Sequence, residues 1–183
     1  MRAIQMRRWT RVEYDRMIAA GMFKPGERIE LVDGEILQMT PQGSAHFTAI
    51  RLAEEILRSA FGTGFEVRAQ APLALSPNSE PEPDLAVVPG NAREYRDAHP
   101  ETALLVVEVA DSTLEYDRRR KGSLYALAGI REYWIVNLID RCLEAYRDPG
   151  QGAYQSSRRL VAGDHIAPIA APDRKTEISE IIP

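Results

Sequence analysis

The sequence is poor in three of the side chains that do most polar chemistry: one cysteine, three histidines and three lysines stand in 183 residues. The lone cysteine, Cys142, excludes an intrachain disulfide and a four-cysteine zinc site, and it suits a reducing compartment. No apolar run approaches the roughly eighteen residues that cross a bilayer, and no secretory leader pattern is present, so the expectation is a soluble, cytoplasmic protein with no membrane partner. A basic excess is missing as well, because 23 lysines and arginines face 27 acids for a formal charge of −4. A nucleic-acid partner would therefore need a local basic patch. Internal repeats, low-complexity tracts and linkers are absent. With 44% hydrophobic and 27% charged residues, the composition is that of a single globular domain over residues 1–183.

What is present concentrates between residues 81 and 137. Leu104, Leu105, Val106 and Val107 lead into Glu108, and Val109 and Ala110 follow, so an acid sits inside an apolar run that reads as a sheet-core strand. Low-dielectric surroundings strip an ionised carboxylate of its water, and such a group requires a counter-charge, a metal or a raised pKa. Upstream, Pro83-Asp84 opens a second apolar run, Leu85 to Val88. Downstream, Asp117-Arg-Arg-Arg-Lys121 enters a helical pattern in which Asp117, Lys121, Leu124, Tyr125 and Ala128 share one side. Against twenty arginines, a lysine kept at 121 stands out as a lysine. The run Arg118-Arg-Arg120 reads as a solvated charge cluster, or as a phosphate holder if a metal site lies beside it.

The remainder reads as framework. Thr10-Arg-Val-Glu13 is a capping box opening a short helix with Met17 and Ile18 on its apolar side. Strands over 28–32 and 35–39 flank Asp33-Gly34, a hairpin-turn dipeptide, and put Glu30 on the first arm, as a solvent-facing charge or an acid aimed at a site. A helix over 45–61 follows from the spacing of Ile50, Ala53, Ile56 and Leu57, with His46 in its first turn as a capping or surface group or as a site residue. A strand or bent arm covers 65–75, and later strands fall at 133–136, 142–146 and 154–161, with a turn at Asp148-Pro-Gly150. Tyr133 and Trp134 read as core. The pattern predicts an α/β or α+β fold, a mixed sheet with few helices.

Two carboxylates at adjacent strand ends can hold a hard divalent cation through oxygen, with phosphate and water filling its other positions. A lysine ammonium beside them can steady an attacking water or the charge that grows on a phosphoryl oxygen. Asp84, Glu108 and Lys121 thus form a minimal set for metal-assisted phosphodiester hydrolysis.

In order and spacing, Pro83-Asp84, Glu108-Val109, Ser112-Thr113, Tyr116-Asp117, Lys121, Tyr125, Gly129-Ile130 and Glu132-Tyr-Trp-Ile-Val136 resemble the Uma-type (Uma two) restriction-endonuclease-like family of the PD-(D/E)XK superfamily. The likeness extends to Glu30-Leu-Val-Asp-Gly-Glu35, Pro41 and His46, about three quarters of the chain, whereas the final twenty-odd residues carry no signal. It implies a restriction-endonuclease-like core, a central mixed sheet flanked by helices. It also implies a DNA endonuclease using Mg²⁺ or Mn²⁺, with Asp84 as the motif aspartate and Glu108 as the motif acid. The sequence departs from the superfamily pattern at Ala110, where the motif lysine would stand, and Lys121 from the following helix is the substitute this family suggests. Asn137 is a second departure, at a position where aspartate is common. Glu30 enters the site through the family pattern, and His46, Asp117 and Arg118 enter as substrate-side residues.

Two further readings stand beside the endonuclease. One is a non-catalytic nucleic-acid- or protein-binding module on the same fold, since fold does not fix function. The other is a hydrolase of smaller phosphodiesters. Enzymes that cut both strands of a duplex often pair two subunits about a two-fold axis, so a homodimer is expected, with Leu143 to Tyr146 or Ile178 to Ile182 as its apolar surface.

Overall fold

The structure, a computed structural model, describes residues 5–183. Helix α1 (Arg11–Ala19) opens with the expected capping box: the Thr10 side chain accepts from the Glu13 N–H, and Glu13 returns to the Thr10 backbone. Its expected apolar side is not the buried one. Tyr14 alone is buried, donating to the Ile29 carbonyl, while Ile18 is half exposed, because only the Tyr14 side meets the hairpin that follows. That hairpin, β1 (Ile29–Val32) and β2 (Glu35–Gln38), turns at Asp33 and Gly34 with φ of 50° and 75°, the positive pair a two-residue turn requires.

The centre is a six-stranded sheet in the order β3 (Phe65–Ala69), β4 (Leu85–Pro89), β5 (Leu105–Ala110), β6 (Glu132–Asn137), β7 (Cys142–Gly150), β8 (Ala153–Leu160). Only β5 and β6 run parallel; the other four pairings are antiparallel. A parallel pair needs a crossover. Here it is a helical rod of three consecutive pieces: α3 (Leu114–Tyr116), a π-helical turn (Asp117–Lys121) and α4 (Gly122–Leu127).

Alternation along the strands builds the two faces. Leu85, Val87, Leu105, Val107, Val109, Trp134 and Val136 pack beneath helix α2 (Ser44–Phe61), which contributes Ala49, Ile50, Ala53, Leu57 and Phe61 at helical spacing. Ala86, Val88, Val106, Ala110, Tyr133 and Ile135 point the other way, toward Tyr125 and Ile130 of the rod and its exit. Glu108 falls in phase with Val106 and Ala110, and Asp84 with Ala86 and Val88. Both acids are thereby directed to the rod side of the sheet.

Of the strand or bent arm expected over 65–75, the bent form is found: the strand stops at Ala69, because Gln70 takes a positive φ of 49° and turns the chain so that Leu73 enters the opposite face. Two further expectations need correction. The turn expected at Asp148-Pro-Gly150 lies two residues on, at Gln151 and Gly152, whose φ of 53° and 76° reverse the chain while Pro149 still pairs with Tyr154. The apolar residues assigned to a dimer surface are spent on the core: Leu143, Ala145, Ile178, Ile181 and Ile182 are all buried beneath the α2 face. A short pair, β9 (His165–Ile166) with β10 (Thr176–Glu177), leads that C-terminal segment into place. No helix among the described residues is long and apolar enough to cross a membrane.

Candidate active site

Glu108 lies near the middle of β5 with 3% of its surface exposed, and three groups meet its carboxylate. Lys121 Nζ donates to Oε1 at 2.9 Å, the Tyr125 hydroxyl donates to the same oxygen at 2.6 Å, and the Asp84 N–H reaches Oε2 at 3.2 Å. The demand of a buried acid for a positive partner is met by Lys121, itself 6% exposed. The π-helical turn that carries Lys121 also buries Asp117, whose carboxylate accepts from Thr113 Oγ1 at 2.6 Å.

Asp84 precedes β4 where that strand lies antiparallel to β5, so the two acids face each other across one strand spacing. Val109 N–H donates to Asp84 Oδ2 at 2.9 Å, and Gln42 and Gln70 approach Oδ1 at 3.3 Å each. Glu30 comes from β1. Its Oε2 accepts from the Glu82 N–H at 3.1 Å and lies 3.3 Å from Lys121 Nζ. His46, at the start of α2, is buried and not a surface group: Nε2 lies 3.2 Å from Asp84 Oδ2 without a well-formed hydrogen bond, and Nδ1 lies 3.8 Å from Asp111. Glu30, His46, Asp84, Glu108, Asp117 and Lys121 line one cleft of about 310 Å³.

The cleft is short of positive charge. Burial pushes the Glu108 carboxyl up to about 8, with Lys121 opposing and the like charges of Asp84, Asp117 and Glu30 adding. Asp117 is pushed up to about 6 by burial, against the pull of Lys121 and Thr113. For Asp84, burial is outweighed by His46, the Val109 N–H and Lys121, so its carboxyl stays below the usual range. His46 is raised: burial works against its charge, but Asp84, Asp111 and Asp117 prevail. Lys121 is held well above the ordinary lysine value despite its burial, chiefly by Glu108 and Glu30. Four buried carboxylates around one buried ammonium and one imidazole, with the Arg28 guanidinium paired to Glu82 at 3.7 Å, form an oxygen-rich pocket, and that donor set fits a hard divalent cation.

A rival cluster lies elsewhere. Asp140, Cys142 and Glu144 bring ligand atoms within 4.8 Å of one another, the one three-residue group of such donors that compact among the described residues. Its donors are already engaged. Glu144 accepts from Arg118, Asn137 and Tyr146, and Cys142 Sγ accepts from Arg159. Burial raises the Glu144 carboxyl, but those partners hold it down at about 2. Asn137 serves that turn: its side chain accepts from the Asp140 N–H and donates to Asp140 and Glu144.

The structure therefore brings Asp84, Glu108, Lys121, Glu30, His46 and Asp117 together, and it turns Arg118 away. The Arg118 guanidinium sits on Glu144 at 2.6 and 2.9 Å, outside the cleft. Arg120 pins the β1–β2 hairpin to the rod through Glu35 at 2.6 Å and the Val32 carbonyl at 3.2 Å. Tyr125 and the two glutamines were not anticipated at the site. Tyr125 stands four residues after Lys121 on the same helix side, a readable signal, whereas the loop residues Gln42 and Gln70 gave none.

The six-stranded mixed sheet flanked by helices is of the restriction-endonuclease-like class. The sequence matches the Uma2 family, described as "Putative restriction endonuclease", over residues 11–175, and the chain belongs to that family. Among solved structures it is similar to a protein of Anabaena variabilis ATCC 29413 described as a "putative nuclease belonging to DUF820". That likeness has a TM-score of 0.68 at 15% identity and covers 85% of this chain and 90% of the other. The type IIG restriction endonuclease BpuSI aligns at a TM-score of 0.44 and 17% identity, over 80% of this chain and 16% of that one. No curated protein matches in sequence.

Proposed function

We propose that this protein is a divalent-metal-dependent DNA endonuclease that hydrolyses phosphodiester bonds, with Mg²⁺ or Mn²⁺ as its cofactor. The observation that carries the reading is the meeting of Asp84, Glu108 and Lys121 in one buried cleft, with the lysine 2.9 Å from the acid it serves. Asp84 and Glu108 would hold the cation by carboxylate oxygen. A bound divalent cation supplies Lewis-acid polarisation of a phosphoryl oxygen and a more acidic water. Lys121, steadied between Glu108 and Glu30, offers its ammonium to the charge that grows on phosphorus-bound oxygen as water attacks and the sugar oxygen leaves. His46 and Asp117 border the same space on the substrate side. The reading takes a reducing, cytoplasmic setting, in keeping with a single buried cysteine. It also takes a homodimer, with a solution mass near twice 20.5 kDa.

The test is cleavage of supercoiled and linear DNA with Mg²⁺ or Mn²⁺, and with a chelator, by wild type, Glu108→Ala and Lys121→Met. Wild type is expected to cut only with metal, and Glu108→Ala not at all. Lys121→Met keeps the stem but loses the charge, and it should fold yet cut at least about 100-fold more slowly. Cleavage by Lys121→Met at the wild-type rate removes the lysine from the mechanism. No cleavage by wild type removes the enzyme reading and favours a binding module.

A further inference from the structure

We propose that Tyr125 is a positioning residue for Glu108: with Lys121 it occupies Oε1, leaving Oε2 as the oxygen free to take a divalent cation. The inference rests on the metal-dependent reading above. A carboxylate oxygen offers two lone pairs, and those of Oε1 are met by the Tyr125 hydroxyl at 2.6 Å and the Lys121 ammonium at 2.9 Å. Oε2 meets only the longer Asp84 N–H contact, 3.2 Å. Without the hydroxyl, one position on Oε1 opens. The carboxylate can then pivot toward Lys121 and present both oxygens to the ammonium, away from the cation.

The donor is held rigidly. Tyr125 has no exposed surface, and its ring packs 5.1 Å from that of Tyr133, whose hydroxyl donates to the Asp117 carbonyl at 3.1 Å. The Tyr125 hydroxyl makes no other hydrogen bond among the described residues, so orienting Glu108 is its one polar task. Partners that orient a metal-binding carboxylate matter to its affinity, and their loss typically weakens binding about 10–100-fold.

Mn²⁺ binding followed by electron paramagnetic resonance, beside thermal melts without metal, tests this on wild type, Tyr125→Phe, Tyr133→Phe and Glu108→Ala. Tyr125→Phe is expected to melt cooperatively and to bind Mn²⁺ at least about 10-fold more weakly than wild type. Tyr133→Phe, which leaves the Tyr125 bond in place, should stay within about twofold of wild type. Wild-type affinity in Tyr125→Phe, with Glu108→Ala binding nothing, overturns the role of Tyr125 and leaves the metal site standing. An equal loss in both tyrosine variants, or a non-cooperative melt of Tyr125→Phe, also overturns it, because the ring pair would then be serving the fold. Wild type binding no Mn²⁺, or no better than Glu108→Ala, removes the metal reading and this inference with it.

Discussion

Asp117 is a carboxylate held by the fold against its own ionisation. Burial raises it to about 6 from an ordinary 3.8, so its contribution to stability is full below about pH 3.8 and is lost as pH rises through 6. In chelator, Asp117→Asn is expected to raise the urea midpoint at pH 7.5 and to leave it unchanged at pH 3.5. A lower midpoint at pH 7.5 would show that the charge supports the metal-free fold. The type of each site residue was legible in the sequence, because an acid within Leu105 to Ala110 and a lysine among arginines are local departures from pattern. Their partners were less so. Arg118 entered beside Lys121 as a substrate-side residue, yet packing sends the first to Glu144 and the second to Glu108.

Strand β6 shows what an element gains from one buried acid. Glu132, 1% exposed, accepts from Trp134 Nε1 at 2.9 Å and Arg147 at 2.6 and 3.0 Å through Oε1, and from the Ile169 N–H at 2.6 Å through Oε2. It ties β6 to β7 and to the segment that joins β9 to β10. Glu132→Gln leaves the Arg147 charge without its partner, and the loss should be about 2 to 3 kcal/mol by urea unfolding. That lies below the full effect of a buried pair because Arg147 is partly exposed. Element boundaries followed the sequence where period and turn chemistry agree, as at Asp33-Gly34. They failed where a proline and a glycine near Asp148 suggested a turn that the pairing of Pro149 with Tyr154 does not permit.

At the scale of the molecule, the last six residues complete the core and do not form the dimer surface expected of them. Ile178, Ile181 and Ile182 are 0%, 1% and 8% exposed under the α2 face, although the family match ends at residue 175. Burying an isoleucine contributes about 1.5 to 3 kcal/mol, and 1 kcal/mol moves Tm by about 2 to 4 °C at this size. Deleting 178–183 should therefore lower Tm by about 20 °C, as measured by circular dichroism. An unchanged Tm would mean that the rest of the core closes without them.

By itself the sequence determined the alternation that sorts the β4 and β5 side chains, the Thr10 capping box and the Asp33-Gly34 turn, and the placing of Asp84 and Glu108 at the same phase of neighbouring strands. All of these follow from periods of two and 3.6 and from backbone preferences acting within a few residues. The tertiary structure alone decided that Lys121 and Tyr125 share one oxygen of Glu108, that Glu30 comes within reach of Lys121, that His46 is buried against Asp84, and that Arg118 is drawn elsewhere. Those meetings join residues 13 to 91 positions apart. A buried charge settles on whichever partner close packing brings within reach, and no local pattern records that choice.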